Sequence, residues 1–151
     1  MLTILIGRAT KGHVWRVDAS FASHAACLLA KSMPTTAYVA VADPQDRAWI
    51  TSALAGAFVD VVRFAIVDVV ELAKLPRGPG QCLIVTADED EAATFQLVRE
   101  LRHLGNDLPI IVVGPYSAFR TAVEIARLES TDFLERPVSV RQLRSAVRRA
   151  C

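Results

Sequence analysis

The sequence lacks a surplus of either charge, long apolar runs, and abundant cysteine, glycine or proline. Its 17 basic residues balance 16 acidic residues, a formal net charge of +1, so nothing attracts the whole chain to nucleic acid or an anionic membrane. Seven glycines and seven prolines exclude a low-complexity chain. No apolar run approaches the roughly 18 residues of a membrane-spanning helix. The 52% of hydrophobic residues and the length of 151 residues instead predict one globular domain.

Residues typical of metal or catalytic sites are few and scattered. The three cysteines, Cys27, Cys82 and Cys151, form no C-x-x-C pair, so the sequence predicts neither a disulfide framework nor a zinc site. No serine or cysteine has a recognisable nucleophile context, and no glycine-rich segment matches a phosphate loop. We therefore expect a protein that is not an enzyme and carries no cofactor. Because the N-terminal residues lack the pattern of a signal peptide, we expect a cytoplasmic location.

Short apolar runs alternate with amphipathic stretches from about residue 37 onward. The pattern predicts one helix after each strand. The final helix is predicted to begin at Ser139, with the capping box Ser139-x-x-Gln142. Such alternation predicts an α/β fold, a doubly wound, five-stranded parallel sheet. The strands are predicted at 38–42, 59–64, 82–86, 109–114 and 133–134, and the helices at 46–55, 67–73, 92–104, 119–128 and 139–150.

The first 36 residues do not fit this alternation. Residues 2–6 and 14–17 fit a hairpin, and the stretch from Asp18 to Lys31 fits a capped amphipathic helix. A segment of this length has difficulty building its own core. We therefore divide the chain into an N-terminal extension, residues 1–36, and a main domain, residues 37–151. The extension is predicted to pack on the main domain or on a partner subunit.

Three segments near the C-terminus resemble the receiver domain of bacterial two-component response regulators. They are Leu108-Pro-Ile-Ile-Val-Val-Gly114, Thr121-Ala-Val-Glu124 and Thr131-Asp-Phe-Leu-Glu-Arg-Pro137. The last is similar to the receiver's fifth strand, in which an aromatic residue is followed shortly by Lys-Pro. Counted back without gaps, the resemblance covers about Ala37 to Ala150 and implies the strand order 2-1-3-4-5, with the functional site at the carboxyl ends of the strands.

The resemblance also implies which positions would carry receiver chemistry. An acidic pair after the first strand binds Mg²⁺, and an aspartate ending the third strand accepts the phosphoryl group. A Thr or Ser after the fourth strand and a Lys before the strand-five proline hold the phosphoryl oxygens. In this sequence the corresponding residues are Ala42 and Asp43, Thr86, Gly114, and Arg136.

These departures predict a receiver-like domain without its phosphoryl chemistry. The Thr86 hydroxyl cannot form an acyl phosphate, a one-residue slip gives Ala87, and the loss of one carboxylate at Ala42 weakens or removes Mg²⁺ binding. Arg136 keeps a cation at the lysine position, in a wider fork that is able to pair directly with Asp43. Only the aromatic switch position keeps its residue type, as Phe133. The implied protein is a pseudo-receiver that acts through protein–protein contacts.

The residues leave two alternatives to the pseudo-receiver open. A shift of two residues would make Asp88 the phosphoacceptor, acting with Asp43, although residues 88–91 are also typical of an acidic first helical turn. Alternatively, the vacated strand ends could bind a small ligand, since a fold alone does not determine function.

Positive charge is concentrated in the C-terminal part of the chain. From Gly114 to Cys151 there are seven arginines and four acidic residues. In receivers, the fourth helix, fifth strand and fifth helix form the usual partner surface, and this surface would carry Arg120, Arg127, Arg141, Arg144 and Arg148. Either the arginines are a solvated face or they bind an acidic protein partner, such as a second copy, an effector domain or a histidine kinase. No helix-turn-helix follows, so we expect no direct DNA contact.

Overall fold

Five parallel strands form the centre of the protein in a computed structural model that describes residues 34–64, 67–87, 91–115, 123 and 131–151. The strands are β1 (Thr35–Ala40), β2 (Val59–Phe64), β3 (Gln81–Thr86), β4 (Ile110–Gly114) and β5 (Thr131–Glu135). The helices are α1 (Pro44–Leu54), α2 (Val69–Ala73), α3 (Glu91–His103) and α4 (Val140–Ala150). Every described residue belongs to one compact unit, Met33–Cys151.

The strand order is β2-β1-β3-β4-β5, and all four pairings are parallel. This confirms the predicted doubly wound α/β sheet of order 2-1-3-4-5. The order follows from the composition of the strands. The nearly continuous apolar strands β3 and β4 lie inside the sheet, where helices cover both faces. The two edge strands, β2 and β5, carry the charged residues Asp60, Arg63, Asp132 and Glu135.

Alternate residues along the strands contribute to two separate cores. On one face, Val39, Ile84 and Ile111 pack with α1 and α4, and their side chains are essentially inaccessible to solvent. On the opposite face, Leu83 and Val112 pack with side chains of α2 and α3. The two-residue side-chain period of a strand therefore divides the sheet between two helical layers.

The ends of several elements differ from the sequence-based prediction. β1 begins at Thr35, because the Thr36 N–H donates to the Gly80 carbonyl oxygen at 2.8 Å and Thr35 pairs with Val59. β5 extends over five residues rather than the predicted two, because its whole length pairs with β4. The sequence predicted this edge strand too short because it contains polar residues and a proline follows it closely.

Part of the prediction lies outside the described residues. This holds for the hairpin and helix of the N-terminal extension and, apart from Val123, for the helix predicted over 119–128. The division at residue 36 therefore stays a prediction. Among the described helices, none combines the length and apolar character needed to cross a membrane.

Candidate functional site

The carboxyl end of β1 leads directly into α1. Ala42 and Asp43 follow the strand and are both exposed. Asp43 is the N-cap of α1, where its Oδ1 accepts a hydrogen bond from the Asp46 backbone N–H at 2.8 Å. Pro44 then occupies the first turn, a position where a missing N–H costs nothing. The one carboxylate remaining from the predicted acidic pair thus has a structural role in starting the helix.

The ends of β3 and β4 lie side by side at the same edge of the sheet. Thr86 is the last residue of β3 and pairs with Val113, and the Ala87 N–H extends the ladder to the Val113 carbonyl oxygen at 2.8 Å. The Thr94 hydroxyl of α3 donates to the Thr86 carbonyl oxygen at 3.1 Å. This bond holds the beginning of α3 against the end of β3. Asp88, the alternative phosphoacceptor, lies outside the described residues.

Gly114, at the end of β4, is covered by the ring of Phe133 from β5. A Cβ atom at Gly114 would lie 3.0 Å from Phe133 Cζ and 3.1 Å from the Ala87 Cβ. The glycine backbone does not lie in the left-handed region, so it is the lack of space that favours glycine here. The ring of Phe133 occupies the volume that a threonine or serine side chain would take.

Arg136 follows β5 and joins the site to α1. Its backbone N–H donates to the Gly114 carbonyl oxygen at 2.8 Å, and a cis peptide bond links it to Pro137. Its guanidinium pairs with Asp46, whereas the sequence analysis considered Asp43. The reason is geometric, since Asp43 accepts from the helix N-terminus while Asp46, one turn later, meets the arginine. Both partners are partly buried, with side-chain exposures of 36% and 28%.

The described residues at this edge do not fit Mg²⁺. A hard cation needs several oxygen ligands, usually including carboxylates. Ala42 supplies none, Asp43 caps a helix, and Asp46 is paired with Arg136. Across the described part of the chain, no cluster of three or more His, Cys, Asp or Glu residues has the arrangement of a metal site.

A cavity of about 510 Å³ opens beside Thr86, between the strand ends and the helices α2 and α3. Its described lining is mainly apolar, with Ala40, Val67 and Leu97, and its charged member is Glu100. An acidic group without a neighbouring cation in that lining does not suit a phosphate-bearing ligand. The cavity is the place where the alternative ligand-binding hypothesis would put a small molecule.

The arginines predicted to form an interaction surface separate into different roles. Arg144 reaches from α4 to the end of α1, where its Nε and Nη2 donate to the carbonyl oxygens of Ala53 and Ala55 at 2.7 and 2.8 Å. It therefore joins the two helices and satisfies carbonyls that end α1. Arg141 and Arg148 are exposed, whereas Arg120 and Arg127 lie outside the described residues.

Sequence reasoning missed Asp46, which holds Arg136, and Arg149, which pairs with Asp132 of β5 at 2.7 Å. A partial signal existed for Asp46, because it lies one helical turn after the N-cap and so near the same strand end. No comparable signal existed for Arg149, since the distance from α4 to β5 depends on how the helix packs.

Solved structures with this architecture include response regulator receiver domains. A response regulator receiver domain protein from Clostridium thermocellum superposes with a TM-score of 0.65 at 13% identity, over 77% of this chain and 93% of its own. The chain has the receiver fold. FixJ-N has the same fold with a TM-score of 0.66 at 21% identity, over 78% of this chain and 94% of its own.

The receiver fold also occurs in a pilus assembly protein, CpaE from Caulobacter crescentus. That structure superposes with a TM-score of 0.60 at 18% identity, over 76% of this chain and 91% of its own. No protein-family model and no curated protein sequence matches this chain. The likeness to these structures is therefore a likeness of fold.

Proposed function

We propose that this chain is an atypical receiver domain of a two-component signalling pathway, a pseudo-receiver that acts in the cytoplasm through protein–protein contacts. The observation that carries the proposal is that β3 ends at Thr86, the residue that the resemblance places where a receiver has its phosphoacceptor aspartate. An acyl phosphate requires a carboxylate, and a threonine hydroxyl cannot supply one. Phosphorylation of the usual aspartate is therefore not the signal that this domain receives.

The neighbouring positions support the same proposal. Ala42 removes one carboxylate of the Mg²⁺-binding pair, and Asp43 serves as the N-cap of α1. The Arg136 guanidinium is paired with Asp46, which leaves this cation with a structural partner inside the domain. Together these residues replace a charged, metal-binding cluster with a helix cap and an ion pair.

The contact between Gly114 and Phe133 supports a domain that keeps one conformation. In a receiver, a hydroxyl-bearing residue and an aromatic residue at these two positions respond to phosphorylation. Here the position of the hydroxyl residue has no side chain, and the aromatic ring lies 3.0 Å from where a Cβ would be. We infer that the ring stays over Gly114 whatever the state of the strand ends.

The proposed partner surface comprises β5 and α4, together with the helix predicted over 119–128. Its described cationic members are Arg141 and Arg148, both exposed, and the sequence adds Arg120 and Arg127. An acidic surface on a second copy, an effector domain or a histidine kinase would complement it. Arg144 is not available to such a partner, because it donates to α1.

Beryllofluoride with Mg²⁺ tests the proposal, because this pair binds a carboxylate in place of a phosphoryl group. We expect the melting temperature of the wild-type chain to stay unchanged when both are added, since a ligand that does not bind the native state cannot stabilise it. The control is the double variant Ala42→Asp/Thr86→Asp, which restores two carboxylates and whose folding is checked by circular dichroism. Its melting temperature should rise.

A rise in the melting temperature of the wild-type chain would contradict the pseudo-receiver. If that rise disappeared in Asp88→Asn, the alternative with Asp88 as phosphoacceptor would replace it. The same titration therefore distinguishes the proposal from the alternative in which Asp88 is the phosphoacceptor.

A further inference from the structure

Two cysteines that are far apart in the sequence meet in the core between the sheet and α4. Cys82 is the second residue of β3, and its side chain is completely buried. Cys151 follows the last residue of α4 and packs, partly buried, against the core cluster that contains Cys82. Each thiol lies close enough to the other to shift its pKa. Both are free thiols in the structure.

The packing of α4 explains why Cys151 reaches Cys82. The buried residues Leu143 and Val147 lie one helical turn apart on the face that packs against the sheet. One further turn places Cys151 on the same face, and its backbone N–H donates to the Val147 carbonyl oxygen at 3.0 Å. Cys82 pairs with the small residue Ala37 of β1.

The pKa values of the two thiols shift in opposite directions. Hydrogen bonding to Cys151, together with burial, raises the pKa of the Cys82 thiol. The same hydrogen bond lowers the pKa of the Cys151 thiol from its ordinary value of 9.0, although its partial burial opposes this. The Cys82 S–H thus stabilises the thiolate of Cys151, which is also the more accessible of the two. Because a thiolate is the form that reacts with peroxide, Cys151 is the nucleophile of the pair.

We propose that Cys82 and Cys151 form a reversible redox pair that is oxidised by hydrogen peroxide to an intrachain disulfide. The Cys151 thiolate attacks one peroxide oxygen, the O–O bond breaks, and the leaving hydroxide takes up a proton as water, which leaves a sulfenic acid on Cys151. The Cys82 sulfur then attacks the Cys151 sulfur, loses its proton, and displaces a second water. The sum is two thiols and one peroxide giving one disulfide and two waters.

The redox pair is independent of the proposed signalling role. It uses the face of the sheet that packs on α1 and α4, and none of its residues belongs to the strand ends. Disulfides in reducing compartments are usually transient and redox-sensing, which fits a pair with one partly accessible thiol. The bond would attach the end of α4 to β3 in the oxidised protein.

Oxidation of the full-length reduced chain with hydrogen peroxide, followed by alkylation of the remaining thiols, tests the pair. We expect the intact mass to show the loss of two hydrogen atoms and one alkylated thiol. Digestion with trypsin without reductant should link the peptide of residues 78–99 to that of residues 150–151, and a phosphine reductant should separate them. Cys27→Ser should behave like the wild-type chain except for the missing alkylation, whereas Cys151→Ser should form no link.

Three results would overturn the proposal. They are alkylation of all three thiols after peroxide treatment, oxidation of Cys151 to sulfenic or sulfinic acid without a link, and links that join Cys27 or two chains. Because Cys27→Ser leaves Cys82 and Cys151 untouched, it keeps the test decisive even if a serine at position 151 changes the packing of α4.

Discussion

At the scale of single residues, the proposal of a domain that does not switch depends on the contact between Gly114 and Phe133. A side chain at position 114 and the ring in its present position compete for the same space, with 3.0 Å between the Phe133 Cζ and an added Cβ. The contact therefore couples the two positions energetically, and a double-mutant cycle measures such coupling directly.

We predict that Gly114→Ala destabilises the wild-type chain more than it destabilises the Phe133→Ala variant, in which only the close contact with the Ala87 Cβ remains. Crowding of a packed site typically costs about 1–3 kcal/mol, so the coupling free energy from urea unfolding should be about that size. Gly78→Ala is the matched control, because an added Cβ there meets nothing closer than 3.8 Å. Equal effects of Gly114→Ala in both backgrounds would show that the ring does not constrain position 114.

The residues that define the candidate site were only partly predictable from the sequence. The resemblance to receivers identified Thr86, Gly114, Phe133 and Arg136 as positions of interest, and the structure places the first two at the ends of neighbouring strands. The partner of Arg136 was not predictable, because it depends on the rotation of α1 about its axis. The meeting of Cys82 and Cys151 gave no signal in the sequence, since no spacing rule relates a core strand to the end of a distant helix.

At the scale of secondary-structure elements, α1 begins at a cap, Asp43, for which the resemblance to receivers predicted a metal-binding position. The Asp43 side chain accepts from the N-terminal turn of the helix at 2.8 Å. For a cap, the side-chain oxygen matters more than its charge, and asparagine is as good an N-cap as aspartate. A metal ligand, by contrast, would need the charge.

We predict that Asp43→Ala lowers the free energy of unfolding by about 1 kcal/mol, whereas Asp43→Asn changes it by less than about 0.5 kcal/mol. Urea unfolding with and without Mg²⁺ measures both, and the exposed first-turn residue Gln45 provides the control variant Gln45→Ala. If asparagine destabilised the chain as much as alanine, or if the loss appeared only with Mg²⁺, Asp43 would be acting through its charge.

The sequence predicted which strands and helices exist better than it predicted their first and last residues. The apolar strands β3 and β4 were clear, because a strand covered on both faces shows an unbroken apolar run. The edge strand β5 was predicted too short, because Asp132 and Glu135 are tolerated at a sheet edge. The start of α1 was predicted two residues late, since Asp43-Pro44 was interpreted as the end of a strand rather than as a cap followed by a proline in the first turn.

At the scale of the whole molecule, α4 exposes Arg141 and Arg148 on the surface of the domain. If a second copy is the partner, the wild-type chain should be a dimer by light scattering, and the reversal Arg141→Glu/Arg148→Glu should dissociate it, because like charges would then replace complementary ones. Arg63→Glu on the opposite edge strand, β2, is the control and should leave the mass unchanged. A monomeric wild-type chain would exclude the homodimer and leave a separate acidic protein as the proposed partner.

At this scale the alternation of strands and helices predicted a doubly wound parallel sheet, and the resemblance to receivers implied the strand order 2-1-3-4-5. The structure confirms that order. The division at residue 36 and the role of the N-terminal extension stay predictions. We expect removal of residues 1–33, which precede β1, to change the oligomeric state if the extension contacts a partner subunit.

The most direct measurement is the intact mass of the full chain after incubation with acetyl phosphate and Mg²⁺, followed by peptide mapping. The pseudo-receiver predicts no added phosphoryl group, because β3 ends in a hydroxyl-bearing residue and Asp43 caps a helix. A labile phosphoryl group on Asp88 would contradict the account, since it would show that the domain still switches by aspartate phosphorylation in a shifted register.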